Sequence, residues 1–175
     1  LYTVLKTGTE FFRIRMHETD QGFETAQELG APPTKAAKYP NRMSAAGISA
    51  FYGAFDQETA IAETYTPTGN FKWATVGKFA AHRDLTVVDL SKIPSIPSIF
   101  EPKSRWKRHG LIFLRHFLRD LTAPIEKDGR EHIDYVPTQI VAEYLRFVHR
   151  MKKDTPIAGI VYPSSRNQGS NACIL

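Results

Sequence analysis

Arg42, Tyr52 and Glu63 are the side chains of this sequence whose types and spacing point most clearly to chemistry. They offer a cation, an aromatic ring and an anion within residues 41–64, a segment otherwise rich in small and apolar residues. Glu63 closes the run "AIAE", and a glutamate with so little polar sequence around it needs a partner or a function. The three residues are therefore candidates for one site.

The three candidates fall on three different predicted elements. Residues 48–55 alternate with a period of two, which predicts a strand that includes Tyr52. Asp56 stands at the N-cap position of a short helix, and Glu63 lies two turns into that helix. Arg42 precedes a turn. Polar groups that are distant in sequence would meet if the strand, the helix and the turn pack together.

The remaining elements follow from apolar periodicity and from proline and glycine positions. Strands are predicted at residues 11–16, 71–80, 85–90, 157–162 and 171–175, and amphipathic helices at 106–121 and 137–151. In the first of these strands, Arg13 and Arg15 project together on one face. The segment "YPSSRNQGSN" reads as a loop between the last two strands. We expect one compact α+β domain over residues 1–175, with mixed or antiparallel sheets and flanking helices.

Composition favours a soluble, cytoplasmic protein. The chain has 175 residues, of which 42% are hydrophobic and 23% are charged, and no apolar run approaches the ~18 residues of a membrane span. The sequence shows no signal-peptide pattern, and its one cysteine, Cys173, cannot form an internal disulfide. Because the chain begins with Leu1 rather than methionine, we expect it to be part of a longer product.

A net charge of +5 indicates an anionic partner without choosing among nucleic acid, a nucleotide and an acidic protein. Basic residues cluster in "KSRWKR" (103–108) and "RFVHRMKK" (146–153), which we interpret first as solvated helix faces. The glycines form neither a Rossmann fingerprint nor a P-loop, so a bound nucleotide must be held in another way. The histidines and the cysteine lack zinc-site spacing, and we expect no metal.

The combination of motifs resembles the RES domain family, which is named for its arginine, glutamate and serine. The resemblance runs through "FFRIR", "NRMSAAG", "FYGAF" and "ETAIAE" to "GIVYPSSRNQGSNACIL". Arg42 precedes Tyr52 by ten residues, and Tyr52 precedes Glu63 by eleven. The sequence departs from the family at "NRMS", where many members have a Gly-Gly-Arg-Trp run. This departure looks like the subgroup in which a helical HEPN-type domain precedes the RES domain.

The resemblance implies a bacterial toxin that consumes NAD+ and has a fold similar to ADP-ribosylating toxins. It implies catalytic roles for Glu63, Arg42 and Tyr52. In such a reaction the nicotinamide leaves as a neutral group, and a carboxylate stabilises the oxocarbenium-like ribose, which is the role expected of Glu63. Arg42 would bind the pyrophosphate, and Tyr52 would stack on the nicotinamide or line the ribose pocket. NAD+ is the substrate, and no cofactor is expected.

Three further residues are candidates for binding the substrate. By position in the family pattern, Arg13 would contact the pyrophosphate, and Ser164 would offer its hydroxyl to the ribose or a phosphate. Asn171, in the same C-terminal segment as Ser164, is the third. Whether water, phosphate or a protein side chain accepts the ADP-ribose stays open at this point.

Two other functions remain as alternatives. A protein or nucleic-acid ADP-ribosyltransferase would share the same pocket, and a non-enzymatic module would bind nucleic acid through its two basic clusters. For the NAD+-degrading enzyme, the resemblance implies inhibition by a proteinaceous antitoxin or by an upstream domain. We expect no membrane partner and do not favour nucleic acid as a partner.

Overall fold

A computed structural model describes residues 1–65, 71–123, 131–149, 155–167 and 171–174. Within these ranges, the strands are β1 (Tyr2–Leu5), β2 (Glu10–His17), β3 (Tyr52–Ala54), β4 (Trp73–Ala80), β5 (Leu85–Asp89), β6 (Gly159–Pro163) and β7 (Asn171–Ile174). The helices are α1 (Ala26–Leu29), α2 (Gln57–Thr64), α3 (Arg108–Thr122), α4 (Glu131–Asp134) and α5 (Val136–Glu143). A π-helical turn, Tyr144–Val148, continues α5, and 3-10 turns occupy Thr34–Ala36, Leu90–Lys92 and Arg105–Lys107.

The described strands form one mixed sheet in the order β1-β5-β6-β7-β3-β2-β4. Among the described strands, only β5 and β6 are parallel neighbours, and the other neighbouring strands run antiparallel. The α+β prediction is confirmed, because one mixed sheet is flanked by helices in a single domain. A fold similar to that of ADP-ribosylating toxins is compatible with this architecture and stays a prediction.

Register decides which residues share a face of the sheet. Tyr52 opposes Ile174, which in turn opposes Ile160, and directly opposed residues of antiparallel strands lie on the same side. We call this side the Tyr52 face. It carries a core cluster that includes Val88, Ile160, Ile174 and the α3 residue Phe117.

The opposite side of the sheet has a second core. Phe11 and Cys173 are buried there, with the Phe51 and Phe79 rings packed against them. Phe51 meets Phe79 edge-on, with 5.1 Å between the ring centroids. We call this side the Phe11 face.

Helix α3 is fixed to the Tyr52 face by its C-terminal half. Phe117 and Leu121 are only 5% and 4% exposed. Burying side chains of this size contributes roughly 1.5–3 kcal/mol each. The anchored half ends at Thr122, so the packing holds the last carbonyls of α3 in a defined place.

The sequence predictions of α2 and α3 are confirmed closely. Asp56 is the N-cap of α2, and its carboxylate accepts a hydrogen bond of 2.7 Å from the Thr59 backbone N–H. Glu63 lies in the last turn of α2, as its spacing from Asp56 predicts. Helix α3 extends over Arg108–Thr122, after a 3-10 turn at Arg105–Lys107.

Three predicted boundaries were wrong. The strand predicted at 48–55 is reduced to Tyr52–Ala54, because residues 48–51 form no ladder pairs; Ala50 and Phe51 alternate between the two cores instead. The helix predicted at 137–151 ends at Glu143 and continues as a π-helical turn; residues 150–154 lie outside the described ranges. The predicted strand at 71–80 begins at Trp73.

Candidate functional site

Arg42 lies in a tight turn that is held by the start of α5. Asn41 and Ser44 form a bridge across this turn, with the Asn41 N–H donating to the Ser44 carbonyl at 2.8 Å. The Gln139 side chain donates to the Asn41 carbonyl at 2.8 Å, and the Thr138 hydroxyl donates to the Arg42 carbonyl. These contacts fix the backbone from which the Arg42 side chain extends.

The Arg42 guanidinium caps the C-terminal end of α3. Its Nη1 donates to the Leu121 carbonyl at 2.6 Å and more weakly to the Asp120 carbonyl at 3.4 Å. A cation in this position satisfies carbonyls that have no partner within the helix and interacts favourably with the negative end of the helix dipole. Arg42 therefore joins the turn to the end of α3. A cleft opens between the turn, the end of α3 and the end of α2.

The Tyr52 hydroxyl is hydrogen-bonded to the same turn. It accepts a hydrogen bond from the Met43 backbone N–H at 3.3 Å and shares one of 3.0 Å with the Ser44 hydroxyl. Burial raises the pKa of Tyr52 above its ordinary value, and these two hydrogen bonds offset that shift only in part. Tyr52 is thus a neutral phenol that supports the Arg42 turn and presents part of its ring to the cleft.

Glu63 and Ser164 meet although 101 residues separate them in sequence. The Ser164 hydroxyl donates to Glu63 Oε1 at 2.6 Å. The serine is only 6% exposed, whereas Glu63 is half-buried and lines the cleft. The short bond places an oriented carboxylate in the cleft wall.

Ser164 is already engaged by three hydrogen bonds. Besides donating to Glu63, its oxygen accepts from the backbone N–H groups of Arg166 and Asn167, at 3.1 and 3.0 Å. A hydroxyl has one proton and two lone pairs, so this arrangement uses its full capacity. Ser164 lies behind Glu63 and orients it; direct contact between Ser164 and a substrate stays a prediction.

Arg166 is a second arginine in the cleft, and it is also anchored on a helix C-terminus. Its Nη1 donates to the Tyr65 carbonyl at 3.1 Å and to the Ala62 carbonyl at 3.4 Å, at the end of α2. Arg42 makes the equivalent contact with α3. In both residues a single guanidinium nitrogen makes these bonds, which leaves further N–H donors with the geometry that suits phosphate oxygens.

The cleft encloses about 1570 Å³, including its open mouth. Its floor is the Tyr52 face of the sheet, and its walls are the Arg42 turn, the ends of α2 and α3, and the segment after β6. The lining residues are Asn41, Arg42, Tyr52, Glu63, Thr64, Leu121, Thr122, Ala123, Tyr135, Tyr162, Ser165, Arg166 and Ile174. The cleft therefore brings together Arg42, Tyr52 and Glu63, as the sequence predicts.

Two lining tyrosines, Tyr135 and Tyr162, escaped sequence reasoning. Burial, followed by the negative charge of Glu63, raises the pKa of Tyr162 above its ordinary value, so its phenol is neutral. Tyr162 begins the "YPSS" segment that contains Ser164, and this position next to a candidate site residue could have indicated that Tyr162 belongs to the site. Tyr135 precedes α5 in a stretch without such a signal. Together with Tyr52 they give the cleft three aromatic rings.

Arg13 lies on the other side of the sheet. Phe12 opposes Ala54, which shares the face of Tyr52, so the neighbouring Arg13 points to the Phe11 face. Its guanidinium stacks over the Phe51 ring at 5.3 Å, and its buried Nη1 has no hydrogen-bond partner among the described residues. Burial, together with the charge of Arg15, lowers the pKa of Arg13 to about 10, which still leaves it charged at neutral pH.

Asn171, the remaining candidate, is the first residue of β7. It pairs with Pro163 in the ladder, and its carbonyl accepts from the Phe55 N–H at 3.3 Å. Neither Arg13 nor Asn171 belongs to the cleft lining. Their assignment as substrate-binding residues stays a prediction.

The described residues contain no candidate metal centre and no candidate membrane-spanning helix. Nowhere in those ranges do three or more His, Cys, Asp or Glu side chains converge as they would around a metal ion. No described helix has the length and apolar character needed to cross a membrane. Cys173 is buried, which raises its thiol pKa to about 12 and makes it unreactive.

Comparison with protein families matches residues 10–175 to the RES domain. The chain belongs to the RES domain family. The match includes every residue predicted for the site, among them Arg42, Tyr52, Glu63 and Ser164. No curated protein and no solved structure matches the chain.

Proposed function

We propose that this RES domain is a toxin-type enzyme that cleaves the nicotinamide N-glycosidic bond of NAD+. Membership of the RES domain family is consistent with an NAD-using enzyme. The observation that carries the finer proposal is the Glu63 carboxylate, which Ser164 orients at 2.6 Å in the wall of a cleft that also holds two arginines. The two arginines complement the negative pyrophosphate of a dinucleotide, and the carboxylate complements the positive charge that develops on its nicotinamide ribose.

Glu63 acts on the bond between ribose C1′ and the nicotinamide nitrogen. When this bond breaks, its electron pair goes to the nitrogen, and the nicotinamide leaves neutral. The ribose gains oxocarbenium character, which a carboxylate close to it stabilises electrostatically. Attack by water at C1′ with loss of one proton gives ADP-ribose, and attack by phosphate gives ADP-ribose 1-phosphate.

Arg42 and Arg166 suit the pyrophosphate, since both are anchored by one nitrogen and keep other donors for phosphate oxygens. Fixing each guanidinium on a helix end lowers the entropy that would be lost when it binds the substrate. The rings of Tyr52, Tyr135 and Tyr162 supply aromatic surface for the nicotinamide or for the ribose pocket. NAD+ is the substrate in this proposal, and no cofactor takes part.

A toxin of this kind must be restrained, so the proposal includes an inhibitory partner. A proteinaceous antitoxin or an upstream domain would cover the open cleft, and the arginines at its rim favour an acidic or loop-inserting inhibitor. A cytoplasmic location belongs to the same proposal, because the proposed substrate, NAD+, is found there.

The experiment is to incubate the purified chain with NAD+, with and without phosphate, and to identify the products by mass spectrometry. We expect nicotinamide with ADP-ribose or ADP-ribose 1-phosphate, and we expect Glu63→Gln to lower turnover by about 10²–10³-fold. The matched control is Glu58→Gln, on the exposed side of the same helix. Turnover that survives Glu63→Gln contradicts the proposal.

Two other outcomes would select the alternatives. ADP-ribose attached to a protein or an oligonucleotide would make the chain an ADP-ribosyltransferase. A folded chain that leaves NAD+ intact and binds oligonucleotides through the basic clusters 103–108 and 146–153 would be a nucleic-acid-binding module.

A further inference from the structure

The segment Ser164–Asn167 is fastened along the length of α2, and not only at Glu63. Ser164 bonds Glu63 in the last turn of the helix, and Arg166 caps its C-terminal carbonyls. Asn167 reaches the first turn, where its Nδ2 donates to the Thr59 hydroxyl at 2.7 Å. The contacts thus span both ends of α2.

The contact between the half-buried Asn167 and the buried Thr59 has a fixed direction. Thr59 is 0% exposed, and its hydroxyl donates to the N-cap carboxylate of Asp56 at 2.8 Å. Because the single proton of this hydroxyl is committed to Asp56, its oxygen can only accept from the other side. An amide N–H, such as that of Asn167, satisfies this requirement.

Asn167 also holds Ser164 directly. Its backbone N–H donates to the Ser164 oxygen at 3.0 Å, while its side chain is bonded to Thr59. Acceptance of this bond leaves the Ser164 proton directed toward Glu63. One residue therefore connects the first turn of α2 with the serine that orients the carboxylate in the last turn.

We propose that Asn167 is a positioning residue that acts through Ser164 on Glu63, with Thr59 as its buried anchor. This inference rests on the proposed cleavage of NAD+, in which Glu63 must be held close to the ribose. Loss of the anchor lets the segment Ser164–Asn167 shift and widens the range of positions open to the carboxylate. The chemical step becomes slower. Substrate binding changes less, because Arg42 is anchored on α3 outside this segment and Arg166 keeps its own bonds to the carbonyls at the end of α2.

The test is a double-mutant cycle on NAD+ turnover with Asn167→Ala and Thr59→Val. Each single variant should lower kcat about tenfold and change KM by less than about twofold. A loss of about tenfold is the lower end of the range observed when a residue that orients a metal ligand is replaced. Because both substitutions break the same bond, Asn167→Ala should cost less than about twofold more in the Thr59→Val background. Thr59→Ser keeps the hydroxyl and should restore kcat.

Urea unfolding of each variant shows that the compared proteins are folded at the assay temperature. An unchanged kcat, a rise in KM alone, or fully additive effects would overturn the positioning role. Failure of the proposed function is distinguished by Glu63→Gln, assayed first: turnover independent of Glu63 rejects the function, whatever Asn167 does.

A readout without turnover tests the same anchor. Amide hydrogen exchange at Arg166 and Asn167 reports their bonds to Ser164. We expect Thr59→Val to lower the protection of both amides and Thr59→Ser to retain it. Equal protection in Thr59→Val and the parent would overturn the proposal.

Discussion

Replacing Tyr52 by phenylalanine separates the hydroxyl that supports the Arg42 turn from the ring that lines the cleft. The substitution removes two hydrogen bonds, from the Met43 N–H at 3.3 Å and with the Ser44 hydroxyl at 3.0 Å. Each is worth about 0.5–1.5 kcal/mol net, so the free energy of unfolding should fall by about 1–3 kcal/mol. For a chain of this size, a loss of 2 kcal/mol corresponds to a fall in Tm of about 4–8 °C.

Urea unfolding at constant m-value measures this change, and Tyr39→Phe is the matched control. Tyr39 is 83% exposed, so removing its hydroxyl should change the stability by less than about 0.5 kcal/mol. The KM for NAD+ should rise in Tyr52→Phe, because the turn that carries Arg42 is less firmly held. Equal stability of Tyr52→Phe and Tyr39→Phe would refute the assigned role of the hydroxyl.

Three further predictions concern affinity, acid stability and thiol reactivity. Arg42→Lys keeps the charge but loses the forked donors and the cap on α3. On the Glu63→Gln background, calorimetry should show that the affinity for NAD+ falls about tenfold. An unchanged affinity would contradict a role of Arg42 in phosphate binding. Burial opposes ionisation of Asp89, but hydrogen bonds from Lys92 and its neighbours outweigh this and hold the pKa of Asp89 below its ordinary value. The Asp89 carboxylate therefore stabilises the fold fully above about pH 4 and loses this effect as the pH falls through its folded-state pKa. The urea midpoint should fall more steeply with acid in the parent than in Asp89→Asn. Parallel curves of urea midpoint against pH would contradict this role of Asp89. Because burial raises the pKa of Cys173 to about 12, iodoacetamide at pH 8 should label it only as fast as the protein unfolds, and rapid labelling of the native protein would disprove its burial.

Features of the fold that depend on short sequence separations were predictable. The N-cap of α2 needs only Asp56 and the three residues that follow it, and the N-terminal proline of α5 marks that helix in the same way. The short strand β1 gave too little sequence for a prediction, since four residues carry no usable period.

Features that depend on pairing between distant strands were not predictable. Alternation along β2 places Arg13 and Arg15 on one face, and the ladder confirms this relation. Periodicity does not predict which of the two faces lines the cleft, because the pairing of Phe12 with Ala54 determines it. Arg13 consequently lies over Phe51 and away from the cleft.

The central contact of the site also lies beyond local reasoning. Glu63 and Ser164 are separated by 101 residues, and only the family resemblance indicated that they belong together. The role of Arg166 could not be read from its type, because a loop arginine looks the same whether it is solvated or caps a helix. Arg166 comes close to α2 because it lies between β6 and β7, and β7 pairs with β3, the strand that leads into α2.

A crystal structure of the Glu63→Gln variant with NAD+ tests the central claim most directly, because this substitution preserves the size of the side chain and slows turnover. We predict that the dinucleotide lies in the cleft with its pyrophosphate at Arg42 and Arg166. The C1′ atom of the nicotinamide ribose should lie beside the side chain of residue 63, within about 4 Å, a distance at which the native carboxylate acts strongly on a developing cation. NAD+ bound elsewhere, or bound in the cleft with the nicotinamide ribose turned away from residue 63, would contradict the account.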